Sequence, residues 1–570
     1  MKKYIYKLIF CFAIVSFTAC ETTELDLLED PTQVSPDDLN PQNLFDNIQL
    51  NFAGFVSSVA GYSSFTSEVT RQFTMQGSSI YQGAYSAPSF NGIWSSAYAG
   101  VLSNIQLLES IPDPENYEYQ IGVSKLMKAY VYFTLVDIFG DVPLEEALQG
   151  SSGIINPNLS DQVLVYQSAF EELNQARAFM QSGGGIEPLN DLFYGEDGLD
   201  NWIAAANSIE LRALNNARLA GTDLGIDISG RISTLLNSNL IDTPEEDLQF
   251  NYFANRLNPN TRHPGYSSNY ENGGSGYLAN YLMWEMIGEK GFDDPRLRYY
   301  FYRQDTDATN EDIFTLGCAV QSPPGHYASV SSIFNANGIP FCTADPGRGY
   351  WGRDHGDDNG IPPDNTKRTV WGVYPAGGLF DADQDEGVDN EGQDGLLGAG
   401  IEPILTSSHV AFIKAEVALT LGIGDAAAAL EEGVRASIAK VTSFGELDPA
   451  TVVDAVAGTT FGDFFPSMTV VENYVTFVMD EFAAADADGK LDITMKELHI
   501  ASFGNGLETY NAYRRTGFPS NMQPSLNPSP GAFYRSAFYP ANAVNNNSNI
   551  DQADISRQVF WDKNPAGFIN

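Results

Sequence analysis

Apolar residues recur at three- and four-residue spacing over two adjoining stretches: Val410, Ile413, Val417 and Leu421, then Ala426, Leu430, Val434 and Ile438. This period gives each stretch one apolar face when it is helical. Between them Gly422-Ile423-Gly424 lets the chain reverse, and Asp425 stands where a helix N-cap is wanted. The pattern predicts an antiparallel helical hairpin over 408–441. Neither helix buries its face alone, so such pairs must stack on further helices.

More helical periods lie on both sides. They run over Leu44–Val59, Trp94–Leu108, Val123–Phe139 (stopped by Gly140), Val163–Gln181 and Trp202–Ala220, and again over 468–483 and 492–503. From about 245 to 407 the pattern changes. Aromatics, Gly, Pro and Asn crowd together, and Leu297–Tyr302 alternates weakly, which predicts an inserted loop-rich lobe with a few short strands. The reading is therefore mainly α: one domain over 43–570, with a helix-pair scaffold at about 43–244 and 408–510 and an irregular C-terminal segment over 511–570.

The 570 residues are 43% hydrophobic and 18% charged, enough for a large core. Lys and Arg number 30 against 73 Asp and Glu, a net charge of -43. Such a surface repels phosphate backbones, so nucleic acid is a poor partner.

Lys2, Lys3 and Lys7 precede an apolar run, Leu8–Phe17, and then Thr18-Ala19-Cys20. The run is too short to span a bilayer and reads as a leader over 1–19. Small residues before Cys20 resemble the lipobox of bacterial lipoproteins, which implies lipidation of Cys20. Glu21 and Glu24 resemble a surface-export signal. Residues 20–42, with Pro31, Pro36 and Pro41, read as a flexible tether. In this reading Cys11 leaves with the leader and Cys20 takes lipid, so Cys318 and Cys342 remain, either as a disulfide, which would stabilise the fold by roughly 3 kcal/mol, or as two buried thiols.

For chemistry, Gly422-x-Gly424-x-x-Ala427 follows a helix rather than a strand and is no dinucleotide fingerprint. His263, His326, His355, His409 and His499 fall in no metal or nucleophile motif. Asp381, Asp383, Asp385 and Asp389, with Glu386, Glu391 and Asp394, offer hard oxygens suited to calcium. Glu386 stands where an EF-hand needs glycine, so the alternative is a solvated acidic loop. A weaker calcium pattern lies at Asp486, Asp488 and Gly489.

Flat aromatic faces in loops can stack on sugar rings while polar neighbours take the hydroxyls. The candidate ligand residues are Tyr81, Tyr85, Tyr270, Tyr350, Trp351, Arg353, Asp354 and Trp371. Tyr266, Tyr277 and Tyr374 are further rings, with Asn91 and Asn269 as polar partners. The segment YWGRDHGDDNG at 350–360 combines ring, guanidinium and carboxylate groups and is the strongest single candidate. Trp94 and Trp202 sit on helical faces and read as core.

Several segments together resemble the SusD/RagB family of nutrient-binding outer-membrane lipoproteins. They are the lipobox, AYVYFTLVDIFGDVPL at 129–144, DDPRLRYYF at 293–301, YPAGGLFD at 374–381, HVAFIKAEVAL at 409–419, GLETYNAYRRTGFP at 506–519 and FYRSAFYP at 533–540. The subgroup with the Arg-Arg-Thr-Gly-x-Pro segment is most similar. The resemblance implies a tetratricopeptide-like scaffold anchored by lipid in the outer membrane and facing the cell exterior. It implies a protein that captures glycan and passes it to a SusC-like TonB-dependent transporter, without catalytic residues. The competing readings are a peptide importer subunit of the same family, a surface glycoside hydrolase, and a scaffold binding only protein.

Overall fold

The computed structural model describes residues 40–570 apart from 76, 183–187, 189, 196–197, 272–275, 308–340, 342–343, 358–366, 447–465, 566 and 570. Cys20, the expected leader over 1–19, most of the expected tether, Cys318 and Cys342 lie outside the described residues, as do His326 and positions 358–360 of the 350–360 segment.

Helix α1 (Pro41–Ala60) starts where Pro41 fixes φ and the Asn40 side chain accepts from the Gln42 and Asn43 amides at 2.9 and 3.2 Å. It buries Phe45, Ile48, Phe52, Phe55, Val56 and Val59. A one-turn helix, α2 (Phe65–Val69), follows with Ser64 as its cap. The period read over 94–108 becomes a longer helix over 91–109 whose middle, Ser96–Leu102, is wound as a π-helix.

Helix α3 (Glu118–Phe139) is buried on nearly every side, as a helix apolar all round must be. It pairs with α4 (Gln162–Gln181), on which α5 (Leu199–Asn216) packs. The predicted hairpin is present as α6 (Ser407–Leu421) and α7 (Ala426–Ser443). Gly422 turns the chain at φ +71, and Asp425 accepts from the Ala427 and Ala428 amides at 3.0 and 3.2 Å.

Helices α8 (Met468–Ala484) and α9 (Ala487–Ala501) add a second pair against the first. Phe412, Leu430, Val434, Tyr474, Val478 and Leu498 form a core of their own between these four helices. Asp486 caps α9 by accepting from the Gly489 amide at 2.9 Å, so the weak calcium pattern there is a helix start. Helix α10 (Gly506–Thr516) closes the scaffold and runs past the boundary read at 510.

The lobe contains two small antiparallel sheets. β1 (Leu248–Asn251) pairs with β4 (Ile401–Leu405), with Leu248 opposite Leu405 and Asn251 opposite Ile401. β2 (Phe301–Tyr302) pairs with β3 (Val370–Trp371). The weak alternation at 297–302 resolves into one helical turn, Leu297–Tyr300, followed by β2. Short helices Pro264–Tyr270 and Asn280–Ile287 fill part of what reads as loop.

Buried polar groups join the helices to the C-terminal segment. Asp137 on α3 accepts from the Tyr166 hydroxyl, from Trp561 Nε1 at 2.8 Å and from Asn511 Nδ2 at 2.8 Å. Arg535 forks onto Asp562 at 2.7 and 2.5 Å. A buried polar network of this kind helps to rigidify the frame.

Candidate functional site

The C-terminal turn of α1, the loop 61–64, α2 and the turns over 77–93 surround a solvent-open cleft of about 550 Å³. Its apolar wall is built from rings. Phe65 meets Tyr85 edge-on at 5.4 Å and 88°, and Phe90 at 5.4 Å and 81°. These are favoured edge-to-face contacts. Phe65 and Phe90 are buried by neighbouring rings, whereas Tyr85 stays half-buried with its ring on the cleft wall.

The polar side comes from short segments that fold locally. Ser64 caps α2 by accepting from the Ser67 amide at 3.3 Å. The helix then directs Glu68 toward the cleft, where its Oε1 accepts from Ser63 Oγ at 2.8 Å and its Oε2 from the Tyr85 hydroxyl. Burial, and next the Glu68 charge, hold the Tyr85 phenol well above its usual range, so it remains a donor. Ser58 and Ser89 add hydroxyls. Among the described residues lining the cleft, Glu68 is the one carboxylate and there is no Lys or Arg.

The cleft is supported from two directions. A Cβ on Gly506, the first residue of α10, would stand 2.3 Å from the Ser67 amide nitrogen, so only glycine allows α10 to abut α2. Beneath the end of α1, a Cβ on Gly61 would come within 2.5 Å of Glu402 Oε1. Glu402, on β4, is buried. Burial pushes its carboxyl up to about 8, opposed by the hydroxyls of Ser57 and Tyr252.

Of the residues expected to touch ligand, Tyr85 lies on this wall. Most of the others are interior. Tyr81 is 1% exposed and pairs with His355 Nε2 at 2.9 Å. Tyr270 donates to the Trp371 carbonyl at 2.5 Å and stacks on Tyr266 at 4.7 Å. Trp371, 1% exposed, stacks on Phe73 at 5.1 Å. Tyr350 lies buried under the Arg303 guanidinium at 4.6 Å, and Trp351 is buried. Asp354 is buried and accepts from Gln523 Nε2 at 2.8 Å and Asn280 Nδ2 at 3.1 Å. Arg353 is partly exposed and lies 3.9 Å over the Tyr277 ring, with Arg368 at 4.5 Å from the same ring.

The reason is general. A lobe poor in helix has few aliphatic faces to bury, so its rings become the core, and their hydroxyls satisfy the carbonyls that irregular backbone leaves over.

The acidic run does not form a calcium cage. Asp381 is fully buried and takes Arg303 at 2.6 and 2.9 Å. Asp383 accepts from Arg298 at 3.1 Å; burial raises its carboxyl, but Arg298 and Arg303 outweigh this and hold it low. Asp385 accepts from the Thr306 amide at 3.0 Å, and Asp389 from the Glu391 and Gly392 amides at 2.7 and 3.1 Å. The donors these oxygens face are guanidinium and backbone N–H. Among the described residues no three His, Cys, Asp or Glu side chains converge as metal ligands.

A family model described as "Starch-binding associating with outer membrane" matches residues 31–340, and one described as "Susd and RagB outer membrane lipoprotein" matches 402–558. The chain belongs to the SusD/RagB family. Solved structures share the SusD-like fold over nearly the whole chain. A chitin-binding protein is 18% identical, covering 92% of this chain and 100% of its own, at a TM-score of 0.63. A SusD homologue from Bacteroides fragilis is 19% identical over 90% and 99%, at 0.61. A chitin-binding SusD homologue from Flavobacterium johnsoniae is 16% identical over 92% and 99%, at 0.61. No curated protein sequence matches the chain. SusD-like proteins are binding proteins of the outer membrane, and among the described residues no helix is long and apolar enough to cross one.

Sequence reasoning missed Glu68, Ser63, Phe65 and Phe90. The signal available was slight: Ser64 as a cap with Glu68 in the first turn, ahead of the Gly/Ser-rich aromatic stretch that contains Tyr85.

Proposed function

We propose that this chain is the glycan-capturing subunit of an outer-membrane importer. In this reading Cys20 carries the lipid, residues 20–42 tether the body at the cell exterior, and Cys318 and Cys342 close a disulfide. The body takes an oligosaccharide or polysaccharide segment and hands it to a SusC-like TonB-dependent transporter.

The observation that carries the reading is the cleft, with the Tyr85 ring beside hydroxyls and one carboxylate, in a SusD/RagB chain. A pyranose presents an apolar face and an equatorial rim of hydroxyls, and this wall offers a partner to each. The descriptions of the starch-binding family model and of two chitin-binding relatives of like fold support the same ligand class. Capture is favoured over cleavage. Hydrolysis by the common route needs a second carboxyl about 5 to 9.5 Å from the first, and Glu68 is the one carboxylate among the described lining residues.

Titration calorimetry of the chain against starch, chitin and other neutral oligosaccharides tests this. Saturable binding to at least one is expected. Binding of oligopeptides with no response to any glycan would move the assignment to peptide import, and release of reducing ends from a bound glycan would make the protein a hydrolase.

A further inference from the structure

The cleft has a fixed electrostatic sign. Its one charged side chain among the described lining residues, Glu68, is 5% exposed and held in orientation by Ser63 Oγ at 2.8 Å and by the Tyr85 hydroxyl. A carboxylate in so little water interacts more strongly than one at the surface. The neighbouring Tyr85 and Phe65 rings carry negative π-faces, which attract cations as well. The whole chain carries -43, so a polyanion meets repulsion before it arrives and like charge when it docks.

We propose that this cleft selects saccharides bearing a free, protonated amino group, such as hexosamine units, over uncharged ones, that it excludes anionic glycans, and that Glu68 is the specificity-determining residue. The inference rests on the glycan-capture reading and narrows it. An ammonium on the sugar meets the Glu68 carboxylate through a charge-assisted hydrogen bond beside the aromatic wall. A neutral sugar of the same length keeps its contact with the Tyr85 ring and its hydroxyl bonds but loses this one. A uronate or sulfated sugar puts a second negative charge against Glu68, with no cation in the described lining to offset it.

The test is titration calorimetry of the full chain at mildly acidic pH, where sugar amines are protonated. The ligands are length-matched oligomers of glucosamine, N-acetylglucosamine and galacturonic acid. The glucosamine oligomer is expected to bind about tenfold to a hundredfold tighter than the N-acetylated one, and the galacturonate oligomer not to bind. Glu68→Gln should erase the amine preference, bringing the affinity for the glucosamine oligomer down to that for the N-acetylated one. Ser89→Lys, at an exposed lining position, should turn the preference toward galacturonate even where Glu68→Gln folds poorly. Binding of the neutral oligomer without an amine preference, or an amine preference that survives Glu68→Gln, overturns this inference alone. No binding by any of the three overturns this inference, and glycan capture falls with it only where starch oligomers fail to bind as well.

Discussion

Arg515 meets Glu416 through two parallel contacts, Nε to Oε1 at 2.7 Å and Nη2 to Oε2 at 2.6 Å, joining α10 to α6 in the interior. Arg218 reaches the same carboxylate at 2.9 Å and Asn215 Nδ2 donates to it at 2.8 Å, which ties in α5 and the chain just beyond it. Burial would raise the Glu416 carboxyl, but Arg515 and then Arg218 overcome it and hold it at about 2. Removing one partner strands the other without water. Glu416→Gln should therefore cost about 3 to 5 kcal/mol in urea unfolding. The contribution is full above the ordinary value of 4.5 and is lost as pH falls from there toward 2, so the gap between wild type and variant should close on acidification.

Glu402 should act with the opposite sign. Its carboxyl is raised from 4.5 to about 8, so its protonated form stabilises the fold fully below the unfolded value, and that stability is lost as pH rises through 8. Glu402→Gln keeps the shape and stays neutral. Melting scans should show the variant gaining on wild type by a few kcal/mol (order of magnitude) above that pH, with little difference in acid.

Gly506→Ala should disturb the cleft from behind. The added carbon would lie 2.3 Å from the Ser67 amide nitrogen, so backbone must move. A loss of about 1 to 3 kcal/mol is expected, together with weaker ligand binding because α2 carries Glu68. Unfolding and calorimetry on the same variant check both.

Calcium removal should do nothing to the acidic loop, because Arg303 and Arg298 already neutralise Asp381 and Asp383. A chelator should leave the melting temperature unchanged. Asp381→Asn, which leaves Arg303 facing a neutral amide, should lower it.

The hairpin of α6 and α7 was legible because every signal for it is local: the apolar period, the Gly422 turn and the Asp425 cap. The lobe was not. Pro264–Tyr270 and Asn280–Ile287 are too short to display a helical period over several turns. Whether a ring is platform or core depends on what lies over it, and for Trp371 that is Phe73, far away in sequence. The acidic run looked like a cation site because its partners, Arg298 and Arg303, sit in a distant segment. Glu68 escaped notice for a similar reason: its role comes from Ser63 and from Tyr85, brought to it by the fold across 17 positions.

The most direct test of the central claim, that the cleft beside Tyr85 and Glu68 holds the glycan, is calorimetry on Gly92→Leu. This position lines the cleft and has open space where the new side chain would start, so bulk enters the binding volume while the core is untouched, and leucine in place of a helical glycine should favour the helix by roughly 0.5 to 1 kcal/mol. The account predicts an undiminished melting temperature and loss of binding for whichever oligosaccharide the wild-type chain takes up. Unchanged affinity in a well-folded Gly92→Leu protein would contradict it.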